Sequence, residues 1–201
     1  MSELERWETR FSGPEYHFGT EPNAFLASKA HLLRPGQRAL SVADGEGRNG
    51  VWLAEQGLDV LSVDFSPTAL GKACALAAAR GVPLRTEQAD LTAWNWPEAA
   101  FDVVVGIFFQ FAPPEGQTRM LQGMKRALKP GGLMLIEGYG EKQLEYGTGG
   151  PKELARLYSR KRLEQMFGDF VLLEISEYDA MRREGDGHTG MAALVDLVGR
   201  K

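Results

Sequence analysis

The chain has a single cysteine, Cys74, among its 201 residues. No internal disulfide can form, and a stapled secreted scaffold is excluded. Histidine is scarce as well: His17, His31 and His188 stand far apart, with no second cysteine beside them, so no metal-ligand spacing is present. No apolar run is long enough to cross a bilayer, which excludes a transmembrane helix. Positive charge is not in excess, with 23 Lys and Arg against 27 Asp and Glu and a net charge of −4. That balance argues against a broad nucleic-acid surface. The densest basic cluster, Arg156, Arg160, Lys161 and Arg162, reads as the solvated face of a helix. Internal repeats, low-complexity segments, a Gly-x-Ser-x-Gly elbow and a P-loop are all missing. The opening MSELERWETRF has no apolar signal core, so a cytoplasmic location is expected. What is present is the balance of a globular domain, 43% hydrophobic and 25% charged. Its length suits one domain with its own core.

Apolar segments alternate in type along the chain. Arg38 to Ala43 reads as a strand, and Asn49 to Gln56 as a helix that Gly57 ends. Asp59 to Asp64 is a second strand. Ser66 and Pro67 then open an alanine-rich helix that stops at Gly81, with Ser as N-cap and Pro in the first position. Pro83 to Gln88 is a third strand. Phe101 to Phe109 is a fourth, apolar nearly throughout, as a strand buried on both faces must be. A helix over Gln117 to Leu128 closes in the turn signal Lys129-Pro130-Gly131-Gly132, and Leu133 to Glu137 is a fifth strand. Such alternation predicts a parallel sheet with right-handed crossovers. Beyond it come an amphipathic helix over Pro151 to Phe167 and two consecutive strands, Phe170 to Arg183 and Met191 to Arg200. The loop between those strands is too short for a helix, so they should pair as an antiparallel hairpin. The expected fold is α/β, a Rossmann-like three-layer sandwich. Its seven-stranded sheet is mostly parallel with an antiparallel C-terminal strand. Residues 1–201 form one domain, with 1–34 as an aromatic-rich cap, 35–138 as the cofactor-binding core and 139–201 as lid helix and terminal hairpin.

The segment Ala43-Asp44-Gly45-Glu46-Gly47-Arg48-Asn49-Gly50 follows the first strand and opens a helix. Gly45 and Gly47 let the backbone turn tightly and approach a ligand. Ligands of such sheets bind beyond the carboxyl ends of the strands. Asp64 stands at the end of the second strand, 19 residues after Gly45, where a carboxylate can accept hydrogen bonds from ribose hydroxyls. Asp90 and Leu91 follow the third strand and suit an adenine amino group and ring. Phe65 beside Asp64, Gly106 in the fourth strand, and Arg48 and Asn49 complete the candidate cofactor set. Alone, the loop also matches the dinucleotide pattern G-x-G-x-x-G, which leaves a nicotinamide-dependent oxidoreductase as an alternative. Asp44 and Glu46 would repel a pyrophosphate and suit a sulfonium and an ammonium group.

The stretches WETRF, YHFGTEPNAFL, GEGRNGVWLAEQG, VDFSPTAL, LKPGGLMLIEGY and EGDGHTGMAALVDLVGRK together resemble the class I S-adenosylmethionine-dependent methyltransferases. The resemblance is strongest to the small bacterial group of tellurite-resistance and thiopurine-type enzymes. It implies S-adenosylmethionine as cofactor, S-adenosylhomocysteine as product and a small-molecule acceptor such as a thiol or a metalloid. It also implies no membrane or nucleic-acid partner and a monomer or weak dimer. One departure stands out. The family pattern D-x-G-x-G-x-G meets Ser41 at its acid and Ala43 at its first glycine, leaving Asp44 or Glu46 to supply the charge.

Methyl transfer needs alignment of nucleophile, methyl and leaving sulfur, and a base only where the nucleophile must lose a proton. His188, flanked by glycines in the hairpin loop, is the candidate base, since imidazole titrates near neutral pH. Glu137-Gly138-Tyr139 after the fifth strand should face the acceptor pocket. Tyr139 and Tyr146 join His188 as catalytic candidates, and the glycines at 147–150 suit a mobile lid. Phe108, Phe109 and Phe111 are expected as an apolar wall, His17 as part of the cap, and Cys74 as a packed small residue. A third reading is a non-catalytic S-adenosylmethionine-binding protein, which Ser41 in place of the usual acid favours.

Overall fold

The computed structural model describes residues 2–185 and 187–201, the side chain of His188 apart. Seven strands form one sheet: β1 (Arg38–Val42), β2 (Asp59–Asp64), β3 (Arg85–Gln88), β4 (Phe101–Ile107), β5 (Leu128–Tyr139), β6 (Leu172–Glu184) and β7 (His188–Arg200). Their order is β3-β2-β1-β4-β5-β7-β6. Strands β1 to β5 pair in parallel, whereas β7 runs antiparallel to both β5 and β6. β6 therefore points the same way as the parallel strands, and the β6–β7 turn lies at their carboxyl ends. Among the described residues no helix is long and apolar enough to cross a membrane.

Alternate residues of the central strands feed opposite layers, as a pleated strand buried on both faces requires. Val103, Val105, Leu133 and Leu135 join Phe25 and Leu26 of α2 (Ala24–Ser28) and Leu53 of α3 (Arg48–Glu55). Val104, Met134 and Ile136 face the other way. They meet Met120, Leu121 and Met124 of α5 (Pro114–Ala127) and Leu163 and Phe167 of a later helix, Arg160–Phe167. Between these, α4 (Pro67–Arg80) begins as its sequence prescribes. Ser66 Oγ accepts from Ala69 N at 3.0 Å, and Gly81 ends the helix at φ +69°. Before the sheet lies α1 (Glu3–Phe11), with a complete capping box between Ser2 and Glu5.

Local patterns miss the architecture in four places. The helix expected over Pro151 to Phe167 is broken. A single 3-10 turn (Leu154–Arg156) is followed by extended backbone and then by α7 (Arg160–Phe167), with the short α6 (Gln143–Tyr146) earlier in the chain. Tertiary partners win over the helical period: Tyr158 N donates to Tyr139 O at 2.9 Å, and the Tyr158 side chain is fully buried. The carbonyl of Arg156 also accepts from both Gln110 and Gln117. The segment Lys129 to Gly132 does not end a helix ahead of a separate strand. β5 runs through it, with Gly131 at φ +74° where the β4 register shifts. The third strand is shorter than expected, beginning at Arg85. The fourth stops at Ile107 because Phe108 turns to φ +54°.

Gly123 on α5 tests this packing. A Cβ there would lie 2.2 Å from the Trp96 indole, whereas one at Gly71 on α4 meets nothing within 4 Å. Gly123→Ala is expected to lower the unfolding free energy by about 1–3 kcal/mol. Gly71→Ala should raise it by up to about 1 kcal/mol through helix propensity. Urea denaturation reads both.

Candidate active site

A cavity of about 760 Å³ opens at the carboxyl ends of the parallel strands. Its floor is the loop after β1. Ala43 takes φ +50°, a left-handed conformation that disfavours any side chain, at the position where the family pattern has its first glycine. Gly47, at φ +88°, is required on packing grounds too, since a Cβ there would stand 2.5 Å from that of Ala73 on α4.

Three acids of this region have three different roles. Asp44 is turned under the loop, where it accepts from Ser41 Oγ at 2.7 Å, Ser62 Oγ at 2.8 Å and Gly50 N at 3.1 Å. The carboxyl that the pattern places at position 41 thus stands three residues on and is hydrogen-bonded to Ser41. Burial pushes its pKa up. Glu46 points away from the cavity and pairs with Lys72 at 2.7 Å while accepting from His17 N at 2.7 Å. Asp64 faces the cavity and is 4% exposed. Its Oδ2 accepts from Gly45 N and its Oδ1 from Ser66 N, each at 2.9 Å. Burial raises its pKa from 3.8 to about 6 in spite of those bonds.

Among the sequence candidates, Ala43, Asp44, Gly45, Arg48, Asn49, Asp64, Phe65 and Tyr139 line the cavity together, as do Phe108, Phe109 and Phe111. Burial pushes the Tyr139 hydroxyl up to about 12, so it stays a protonated donor at neutral pH. Glu46, Asp90, Leu91, Gly106 and Tyr146 do not line it. Asp90 is exposed and caps its own turn, accepting from Thr92 N at 2.9 Å and Thr92 Oγ1 at 2.7 Å. Leu91 is buried in the core. Gly106 lies behind the wall, where a Cβ would strike the Phe109 ring. Tyr146 sits on α6 beside Lys142. Cys74, expected as packed, is exposed on α4. His188 opens β7 opposite Glu184, at the sheet's carboxyl end; its side chain lies outside the described residues.

Glu137 does not face the cavity, contrary to the strand-end expectation. It is fully buried and bonded to the Asn23 amide and to Arg182 Nη1 at 3.0 Å. Arg48 reaches Glu184 at 2.7 Å, and Asn49 Oδ1 accepts from Asn23 N at 2.9 Å. Sequence reading missed this cluster because its members come from four distant segments. The one local signal was a carboxylate ending the apolar run LMLIE. Over the cavity, Trp7 and Phe11 of α1 stack at 5.5 Å. The segment after α1 meets the β6–β7 turn, where Gly187 N donates to His17 O at 3.2 Å.

Comparison with known proteins bears on this geometry. Residues 39–132 match the model of a family described as a methyltransferase domain. Demethylmenaquinone methyltransferase of Thermus thermophilus is 35% identical over 107 residues, 52% of this chain and 48% of that protein. The chain spans about half the length of the curated relatives it matches. The structure of TehB from Haemophilus influenzae superposes with a TM-score of 0.72 at 18% identity, covering 98% of this chain and 66% of that one. An S-adenosylmethionine-dependent methyltransferase from Methanosarcina mazei gives 0.67 at 17% identity, covering 89% and 98%. The matches do not favour the nicotinamide alternative. Residues 39–132 thus match a methyltransferase domain, and the sheet shares the Rossmann-like fold of a solved S-adenosylmethionine-dependent methyltransferase.

Proposed function

We propose that the cavity binds S-adenosylmethionine and that the chain transfers its methyl group to a small-molecule acceptor. The observation that carries this reading is Asp64, a carboxylate at the carboxyl end of β2 that opens onto the cavity beside the backbone of Gly45. Each of its oxygens takes one backbone N–H and has a lone pair to spare, an arrangement that suits the two hydroxyls of a ribose. Asp44 lies under the same loop with its oxygens taken by Ser41, Ser62 and Gly50, so the carboxylate that a pyrophosphate would meet is Asp64.

When bound, S-adenosylmethionine supplies a methyl group already activated on a sulfonium sulfur. The chain's share is to align the acceptor and exclude water. In this reading residues 35–138 hold the cofactor, and 1–34 and 139–201 close over the acceptor. Glu8 fixes α1 in place by accepting from the hydroxyls of Ser66 and Thr68 at the start of α4. Tyr139 serves as a hydrogen-bond donor at the wall. His188 is the base or acceptor contact, since the hairpin carries its backbone to the site's end of the sheet. A soft acceptor such as a thiol would ask little of such a base.

Calorimetry tests the reading. S-adenosylhomocysteine is expected to bind, and NAD to give no heat; tight NAD binding without a response to S-adenosylhomocysteine would overturn it. Asp64→Ala should weaken S-adenosylhomocysteine by about 1.5–3 kcal/mol, the worth of hydrogen bonds to a charged acceptor. An unchanged dissociation constant would reduce Asp64 to a structural cap.

The raised pKa of Asp64 gives a second measurement. Its proton leaves the unfolded chain at an ordinary 3.8 and the folded one at about 6. Between those values the folded state holds more protons, so Asp64 makes stability fall as pH rises through that window. In the ligand-free protein, Asp64→Ala should therefore flatten the slope of unfolding free energy from about pH 4 to 6. S-adenosylhomocysteine should bind more tightly as pH rises through the same range. His188→Ala should lower turnover most for acceptors that must lose a proton; full turnover on every acceptor would make the histidine a turn residue.

A further inference from the structure

We propose that the methyl acceptor is an aromatic molecule bearing an oxyanion group, which Arg10, Lys152 and the indole N–H of Trp7 hold at the outer end of the cavity. This rests on the methyltransferase reading and names the substrate class of the same site.

At the strand ends the cavity carries Asp64, with Asp44 under the loop and Arg48 paired to Glu184, which suits a cationic cofactor. The outer end of the cavity is built from α1, which brings Arg6 and Arg10, and from the segment at 149–156, which brings Lys152 and Arg156. Two of these four cations are already neutralised: Arg6 pairs with Glu3 at 3.1 Å and Arg156 with Glu153 at 3.1 Å. Arg10 and Lys152 have no carboxylate partner among the described residues. Among the described residues the mouth therefore keeps two cations outside any ion pair, with Glu3 acting on Arg10 only at longer range, on a chain whose net charge is −4.

A second observation comes from hydrogen bonding. The Trp7 Nε1 donor is buried and has no acceptor, and the Arg10 guanidinium lies 4.8 Å from the Trp7 ring centroid. Both side chains line the cavity. Burial and the nearby Arg6 hold the Arg10 pKa below its ordinary value, although arginine cannot shed its proton in a protein. A bound oxyanion relieves that repulsion and supplies the missing acceptor. Glu3 Oε2, buried and unpartnered on the same helix, opposes an anion, but Arg6 sits on the other oxygen of that carboxylate.

The walls define the remainder of the acceptor. Trp7 and Phe18 stand 6.3 Å apart, and Phe108 and Tyr139 4.7 Å apart, all facing the cavity. Flat apolar faces of this kind favour a planar ring over an aliphatic chain.

The test is calorimetry on the full chain saturated with S-adenosylhomocysteine, using benzoate, phenylphosphonate and neutral benzamide as probes. At least one anion should bind about tenfold or more tightly than benzamide, and the better of the two identifies the oxyanion. Arg10→Gln with Lys152→Gln should collapse that ratio. Trp7→Phe, which keeps the ring and deletes the N–H, should narrow it, with urea midpoints confirming that each variant is folded. Equal binding of acid and amide, no binding of any probe, or a ratio unchanged in the double variant overturns the proposal. If S-adenosylhomocysteine binds and the ratio is absent, only the proposal fails. If S-adenosylhomocysteine does not bind, the methyltransferase reading fails and takes the proposal with it.

Discussion

Glu137 sits where water cannot reach it, at the end of the central strand β5. Its carboxylate must find its partners within the protein, because an unpaired buried charge costs several kcal/mol. Asn23 and Arg182 supply them, Arg182 turns next to Glu184, and Glu184 takes Arg48. Four segments therefore meet at one polar cluster: the run before β1, the helix behind the glycine loop, β5 and the terminal hairpin. Burial still outweighs the Arg182 charge and pushes Glu137 up to about 7. Asp196, directly across the ladder from it, adds to that. Apolar surfaces would have joined the same elements, yet such surfaces can slide. Hydrogen-bonded charges have direction, and they set the angle at which the hairpin and the segment before β1 approach the glycine loop.

The loop itself departs from its pattern without losing the geometry. Ala43 bears the left-handed backbone that glycine would adopt more cheaply, at a cost of about 1–2 kcal/mol. Asp44 offsets it by tying together Ser41, Ser62 and Gly50, three positions that bracket the turn. The departure at Ser41 thus gives weak support to a non-catalytic reading, because a carboxylate remains at the loop in contact with that same serine. Phe108 holds a second left-handed backbone at the opposite wall, its N–H donating to Glu137 O at 2.8 Å. Strain of this sort persists only where neighbours over-determine it, and two of the three left-handed non-glycine residues among the described ones, Ala43 and Phe108 but not Ala99, line the cavity.

The order of elements could be read from residue patterns because each carried a local cause. Ser66-Pro67 set a cap, Gly81 a stop, and FDVVVGIFF a doubly buried strand. The hairpin followed from a loop too short to cross the sheet, and its position at the site's end followed from topology alone. Asp64 could be placed at the cavity because it closes the second strand, and such strand ends face the site's side of the sheet. What escaped were contacts set by tertiary partners. The 151–167 helix broke because Tyr158 and the Arg156 carbonyl found distant hydrogen bonds. Asp90, read as a ligand, stands outside the cavity and accepts from Thr92, since a single Asp before Leu-Thr serves either role. Glu46, one residue from the cavity, was claimed by Lys72 on the next helix. Neither periodicity nor spacing encodes such pairings.

Access to the cavity follows from how firmly each covering element is held. The hairpin is locked by the Arg182–Glu137 cluster and by a full ladder with β5. Helix α1 buries only Phe11 completely. It is otherwise held by Glu8, whose carboxyl burial would raise but whose bonds from Ser66 and Thr68 bring below its ordinary value. A short helix with one buried anchor and one polar latch has little stability of its own. The latch lands on Ser66, whose backbone N–H bonds Asp64. Helix α1 and Asp64 are therefore two contacts of one residue, so the position of α1 bears directly on the carboxylate that faces the cavity.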